Sequence, residues 1–270
     1  MTLPRPVPLI VADVGRYGLW RTSYLGSQVL RAHVSAYPDL CLRLGADYAL
    51  GGLWRHRSEI GEVIETIGRA GRPILLEALV EAFRRRGCRA VVVSLRESTR
   101  LSGEYAAFGW PEIGAMVFYR FAPNQIEPIP FQGRIRDVTA ADLPEVVEID
   151  RLSFDWLWQE SEESLRSYLE EPGRLFWLAE ADGQIAGYLA ANFRARAANF
   201  DRLGVRPTLG GRGVGRGLLT AALAHFRRLG MTELTLNTQA GNERSRRLYQ
   251  RVGFVPIGEP RPLYGRLDVK

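Results

Sequence analysis

Arg212, Gly215 and Gly217 stand at the spacing Arg-x-x-Gly-x-Gly, within a run from Val205 to Gly217 that also holds Gly211 and Gly213. Glycines let a backbone take positive φ and approach a ligand without Cβ interference. The run follows a strand-like stretch, Asn199 to Val205, and opens a helix-like one, Leu218 to Leu229. Unpaired amides at a helix N-terminus attract an anion, and the helix dipole adds to the attraction. The chemistry asked for is phosphate binding. A P-loop needs Gly-Lys-Ser/Thr, because its lysine must reach the outer phosphates. Here the one lysine is Lys270, the last residue. A dinucleotide fingerprint needs Gly-x-Gly-x-x-Gly, and from Gly213 the third glycine would fall on Leu218. Spacing excludes both.

A second constellation lies downstream: Asn242-x-x-Ser245-x-x-Leu248-Tyr249-x-x-x-Gly253-Phe254. Asn242 suits a helix N-cap and Gly253 the left-handed position past the helix end. Ser245, Leu248, Tyr249 and Val252 share one helical face, which turns Tyr249 inward. Together with Arg-x-x-Gly-x-Gly, this pair of motifs resembles the GNAT N-acetyltransferase superfamily, and the resemblance covers the whole second half of the chain. It implies an N-acetyltransferase that uses acetyl-CoA as cosubstrate and transfers the acetyl group by direct attack of a primary amine in a ternary complex. Arg212, Gly213, Val214, Gly215, Arg216 and Gly217 would hold the pyrophosphate, with Asn242 and Ser245 bordering the same cofactor. The backbone of Leu203, Gly204 and Val205 would meet the thioester carbonyl and the pantetheine arm, with Gly204 marking a bulge that splays the strand. Tyr249 would protonate the departing thiolate, a group of basicity comparable to a phenol of pKa about 10.

An attacking amine must also lose a proton. The family's frequent glutamate falls six residues before Val205, which here is Asn199, an amide without basicity. Alternation back from Val205 puts Leu203, Asp201 and Asn199 on one face. Asp201 is the remaining carboxylate, as base or as holder of a water, unless it is an ordinary strand-edge or substrate-binding group. Substrate selection would fall to Phe154, Trp156 and Trp158, with Asn199 as a further contact. That aromatic stretch reads equally as a lid over an apolar acceptor or as a hydrophobic seam.

The elements that must position these groups occur twice. Phe83-Arg84-Arg85-Arg86-Gly87 recurs as Phe226-Arg227-Arg228-Leu229-Gly230. Before each lies an amphipathic helix, with Leu75, Leu76, Leu79, Val80 and Phe83 matching Leu218, Leu219, Ala222, Leu223 and Phe226. Tyr105, Gly109 and Trp110 match Tyr249, Gly253 and Phe254 in the same way. The chain thus reads as a tandem duplication, an arrangement similar to the mycothiol synthase family. The fold class expected is α/β: two tandem GNAT folds, mixed sheets flanked by helices. Residues 1–121 form a degenerate first copy, 122–133 a Pro-rich linker and 134–270 the catalytic domain. In the first copy Arg69 aligns with Arg212, but Gly215 becomes Arg72 and Gly217 becomes Ile74, while Pro73 removes an amide donor. No cofactor is expected there, and Tyr105 reads as a core residue.

In the second half, Arg134 to Val138 reads as a strand, and Thr139 caps a helix running to about Leu152. A helix from Ser161 to Glu170 and a hairpin across Asp182-Gly183 follow. After the glycine run come a strand at 233–239, a helix from Asn242 to Val252 and a last strand near Leu263 to Val269. At 270 residues, 46% hydrophobic and 10% aromatic, the chain can bury two cores, which excludes disorder. Cys41 and Cys88 offer neither a disulfide framework nor metal-ligand spacing, and His33, His56 and His225 are scattered, so no metal is implied. A reduced, cytoplasmic setting is the default. Prolines without an apolar core at the N-terminus argue against a signal peptide, and no apolar run suits a membrane span. The net charge of +6 comes from arginines dispersed on helix faces, which fits solvated surface and an anionic cofactor better than a nucleic-acid groove. The partner expected is a small-molecule or peptide amine, acting on a monomer or homodimer. A sensor that binds acetyl-CoA without turnover stays as the alternative.

Overall fold

A computed structural model describes residues 5–122 and 131–269, so most of the expected linker lies outside the described residues. The chain forms two compact units, Met1–Ala115 with Arg261–Lys270, and Met116–Pro260. In the first unit the strands β1 (Val7–Pro8), β2 (Cys41–Leu44), β3 (Asp47–Leu53), β4 (Ile60–Ile67) and β5 (Ala90–Val93) lie side by side in that order. Its helices are α1 (Val11–Arg16), α2 (Ser27–Ala36), α3 (Arg72–Arg85), α4 (Leu95–Arg100) and α5 (Glu104–Ala107). The strand β6 (Glu112–Phe121) then carries the chain into the second unit.

The second unit holds β7 (Arg134–Asp137), β8 (Arg174–Ala181), β9 (Gln184–Arg194), β10 (Ala197–Val205), β11 (Glu233–Gln239) and the short β12 (Phe254–Pro256). Its helices are α6 (Leu143–Ser153), α7 (Glu162–Glu170), α8 (Val214–Arg228) and α9 (Glu243–Val252). The sheet order is β6-β11-β10-β9-β8-β7, with β12 also on β6. Only β10 and β11 pair in parallel; the other described pairs of this sheet are antiparallel. The β8–β9 hairpin turns on Asp182 at φ 52 and Gly183 at φ 73, the two positive values a tight right-twisting hairpin requires. Thr139 and Asp142 cap the start of α6 reciprocally, Asp142 accepting from the Thr139 amide at 2.8 Å and hydroxyl at 2.7 Å.

Side chains alternate between two cores. On one face the α8 stripe, Leu218, Leu219, Ala222, Leu223 and Phe226, packs with Leu189, Ala191, Phe200 and Leu236. On the other, Leu143 and Val146 of α6 and Leu165 of α7 pack with Phe176, Leu178, Tyr188 and Ala190. The matching α3 stripe of the first unit, Leu75, Leu76, Leu79, Val80 and Phe83, is likewise fully buried.

The structure departs from the sequence reading at the ends of elements. Helix α8 begins at Val214, so Gly215 and Gly217 lie in its first turn rather than before it. The contiguous boundaries 1–121 and 134–270 are also corrected. The final strand β13 (Arg261–Leu267) belongs to the first unit, where it pairs with β5, while residues 116–120 of β6 pair with β11 in the second. A strand's sequence specifies which face is buried, whereas two repeated ladders offer it the same antiparallel edge. Tyr119, fully buried and edge-on to Tyr249 with ring centroids 6.0 Å apart, is therefore part of the second core although it precedes the linker.

A fragment of residues 134–270 should fail to unfold cooperatively in urea, because it lacks Val117 and Tyr119 and leaves the β11 edge open. Residues 116–260 should give one cooperative transition by circular dichroism; the opposite ranking would refute the strand assignment.

Candidate active site

The parallel ladder between β10 and β11 stops at Phe200 and Leu236, although both strands run on. The cause is one extra residue. On the other side of β10 the register to β9 jumps from Phe200 opposite Ala191 to Arg202 opposite Ala190, leaving Asp201 as a bulge. Beyond it Leu203 and Val205 face the α8 side, where they line a cavity of about 680 Å³. Gly211, Arg212 and Gly213 form one wall, continued by Val214, Gly215 and Arg216 of α8. Asn242 and Ser245 of α9, and Phe154 just past α6, supply the rest of the expected lining.

Gly213, at φ 83, is the N-cap of α8, and no side chain caps this helix. Its first amides are therefore left for a ligand. By contrast α9 is capped internally, Asn242 Oδ1 accepting from the Ser245 amide at 3.1 Å. A Cβ on Gly215 would stand 3.4 Å from Val205 and 3.5 Å from Leu248, ordinary contacts for the protein but inside the cavity wall.

Several expected residues sit elsewhere. Gly204 is not the bulge; it lies over Tyr188, whose ring a Cβ would approach to 2.5 Å. Gly217 lies outside the cavity lining, and a Cβ there would meet Phe131 at 2.6 Å, so close packing accounts for it. The bulge also separates Asp201 from Leu203: Asp201 and Asn199 face α7, on the opposite side from Leu203. Simple alternation failed there because one residue was added to the strand. Trp156 and Trp158 do not line the cavity.

Asp201 is held by groups that the motifs did not reveal. It accepts from the Tyr168 hydroxyl at 2.9 Å, from Asn192 Nδ2 at 2.7 Å and from the Asn199 amide. Asn199 Oδ1 in turn accepts from Thr235 at 3.0 Å. Burial pushes the Asp201 carboxyl above its ordinary range, while the hydrogen bonds from Tyr168, Asn199 and Asn192 oppose the shift. These donors occupy most of the carboxylate's acceptor positions. Tyr249 is 8% exposed, packed edge-on to Tyr119 and Phe254, and is not itself in the cavity lining. Burial pushes its phenol up to about 12, opposed by the neighbouring Ser245 side chain, which does line the cavity.

A charged strand residue, Arg202, was the one signal for a second missed cluster. Its guanidinium is buried between Asp150, to which it is hydrogen-bonded, and Glu160, 3.8 Å away. It also donates to the Trp158 carbonyl at 2.9 Å, and the Phe154 ring covers it at 3.7 Å. Asp150 accepts from the Tyr188 hydroxyl and from the Glu160 amide, the latter at 2.8 Å. The connection from α6 to α7 is thus pinned from below, and Phe154 is a fixed wall of the cavity.

In the first unit the corresponding loop is filled by the chain itself. The Asp47 carboxylate accepts from the Gly71 amide at 3.0 Å, at the start of α3 where an anion would bind. Arg72, aligned with Gly215, turns inward to Thr66 at 3.1 Å and Glu104 at 2.6 Å.

Residues 143–254 match the family model described as the acetyltransferase (GNAT) family. The match lies within the second unit and covers less than half of the chain. Among the relatives is a mycothiol acetyltransferase of Propionibacterium freudenreichii, 46% identical over 55 residues, a match covering 20% of this chain and 18% of that one. The match therefore spans about a fifth of the relative's length. Two solved structures align along nearly the whole chain. A GCN5-related N-acetyltransferase from Sphaerobacter thermophilus has a TM-score of 0.62 at 18% identity, covering 97% of this chain and 95% of that one. A tandem GNAT protein from the clavulanic acid biosynthesis pathway has a TM-score of 0.61 at 15% identity, covering 98% of each. At such identities the likeness establishes the fold alone, an α/β fold shared with a tandem GNAT protein.

Replacing Arg202 by Met would leave Asp150 and Glu160 buried without their cation. A loss of about 3–5 kcal/mol is expected, read as a lower urea midpoint at unchanged slope. An unchanged midpoint would show the cluster to be solvated.

Proposed function

We propose that the second unit is an acetyl-CoA-dependent N-acetyltransferase acting on a primary amine. The observation that carries this is the cavity between the diverging parallel strands, closed by a helix whose first amides no side chain caps. Those amides, with Arg212 and Arg216, would bind the pyrophosphate of CoA. The exposed edge of β10 from Leu203 to Val205 would pair with the pantetheine arm and donate an amide to the thioester oxygen.

In the transfer step the amine lone pair attacks the thioester carbonyl; a C–N bond forms and the C–S bond breaks. The amine's proton passes to Asp201, directly or through a water, and Tyr249 gives a proton to the departing thiolate. Because Tyr249 is outside the cavity lining and its neighbour Ser245 is within it, the serine hydroxyl would relay that proton. Tyr168, already bonded to Asp201, would hold the carboxylate in place for the amine. The first unit, with Asp47 and Arg72 in its loop, would bind no cofactor. Among the described residues no helix is long and apolar enough to cross a membrane; a cytoplasmic location belongs to this proposal.

A sensor that binds without turnover is favoured by one feature, the near-saturation of Asp201 by Tyr168, Asn192 and Asn199. Titration calorimetry with acetyl-CoA separates the readings. One site per chain is expected, lost in Gly215→Arg while circular dichroism stays unchanged. Two sites would refute the closed first unit, and no binding would refute the function. In an amine panel followed by thiol release, Asp201→Asn should slow turnover about 100-fold or more, with acetyl-CoA affinity unchanged. Binding with no release on any amine would favour the sensor.

A further inference from the structure

The cavity wall carries more positive charge than a pyrophosphate needs. Arg212 and Arg216 lie on the glycine loop and α8, and Arg244, Arg247 and Arg251 lie on α9; no Asp or Glu lines the cavity. On α9 these arginines fall three and four residues apart, which places them in one stripe along the helix. The acidic partners they have are weak ones. Arg212 meets Asp182 at 2.7 Å and Arg247 meets Glu243 at 2.8 Å, with all four side chains at least 59% exposed. Among the described residues Arg216, Arg244 and Arg251 have no ion pair.

A pyrophosphate diester carries two negative charges, which the amides at the start of α8 and the neighbouring Arg212 and Arg216 can meet. The α9 stripe is left over. It forms a row of guanidiniums whose one ion pair among the described residues is the exposed Arg247–Glu243 contact, and all three side chains are exposed, with forks suited to phosphate oxygens. A phosphomonoester, with a charge of about −1.5 to −2 at neutral pH and three acceptor oxygens, fits that row.

We infer that the Arg244–Arg247–Arg251 face of α9 is a second phosphate subsite, which selects a cosubstrate bearing a terminal phosphomonoester. This rests on the reading of the cavity as a CoA site, and in CoA the group is the ribose 3′-phosphate. The subsite makes the chain discriminate CoA from dephospho-CoA, which retains the pyrophosphate and the pantetheine arm.

Titration calorimetry of CoA and dephospho-CoA into the full chain tests it. Wild type should bind CoA at least about tenfold more tightly, the worth of one charge-assisted hydrogen bond. Raising the salt concentration should shrink that ratio. The triple variant Arg244→Gln, Arg247→Gln, Arg251→Gln should bind CoA as wild type binds dephospho-CoA, with dephospho-CoA affinity little changed. Arg251→Gln alone, at an exposed position, should lie between. Equal affinity of wild type for both ligands, or a ratio that survives the triple substitution, would overturn the subsite and leave the CoA site standing. Binding of neither ligand would overturn the CoA reading and the subsite with it.

Discussion

One extra residue in a strand organises the second unit. Because Asp201 has no partner on β9, β10 bends, its parallel pairing with β11 ends at Phe200, and the two strands part. The gap exposes a strand edge beside the uncapped start of α8, so backbone amides from two different elements converge on one cavity. The bulge also changes which side chains face which core. Leu203 goes to the cavity side and Asp201 to the side of α7, which keeps its carboxylate out of the cavity. Without the bulge the strands would stay paired and the cavity would close.

A bent strand of this kind needs support from beneath, and the buried Arg202 cluster supplies it. Arg202 is the next residue after the bulge, and it ties β10 to α6 through Asp150 and to the α6–α7 connection through Trp158 and Glu160. Buried ion pairs contribute little net stability but lose much when one partner is removed. Here the cluster fixes geometry: Phe154 is held against the guanidinium and the cavity wall is set before any ligand arrives.

The two units treat the start of the corresponding helix differently. Both have a parallel pair of four residue positions, ending at Val63 and Val93 in the first unit, where β5 itself ends, and at Phe200 and Leu236 in the second, where both strands run on. In the first unit the helix-start amide of Gly71 is satisfied by Asp47, and Arg72, Thr66, Glu97 and Arg100 form a hydrogen-bonded network nearby. Helix-start amides are satisfied by an internal carboxylate or left for an external anion, and the two loops illustrate the two outcomes.

The sequence by itself determined the repeat, the helix stripes and the glycine loop, because these depend on local periodicity and on glycine's freedom near the helix start. It also placed the Asn242 cap and the inward face of Tyr249, since α-helical spacing survives almost any context. The degenerate first loop was legible for the same reason: a missing glycine is visible without coordinates. Tertiary structure alone decided the rest. Alternation along Asn199 to Val205 assumes an unbroken pleat, and a bulge is a property of the pair of strands. The partners of Asp201 come from α7 and β9, far apart in sequence. The destinations of β6 and β13 depend on which of two similar ladders captures each strand, a choice that no local pattern encodes.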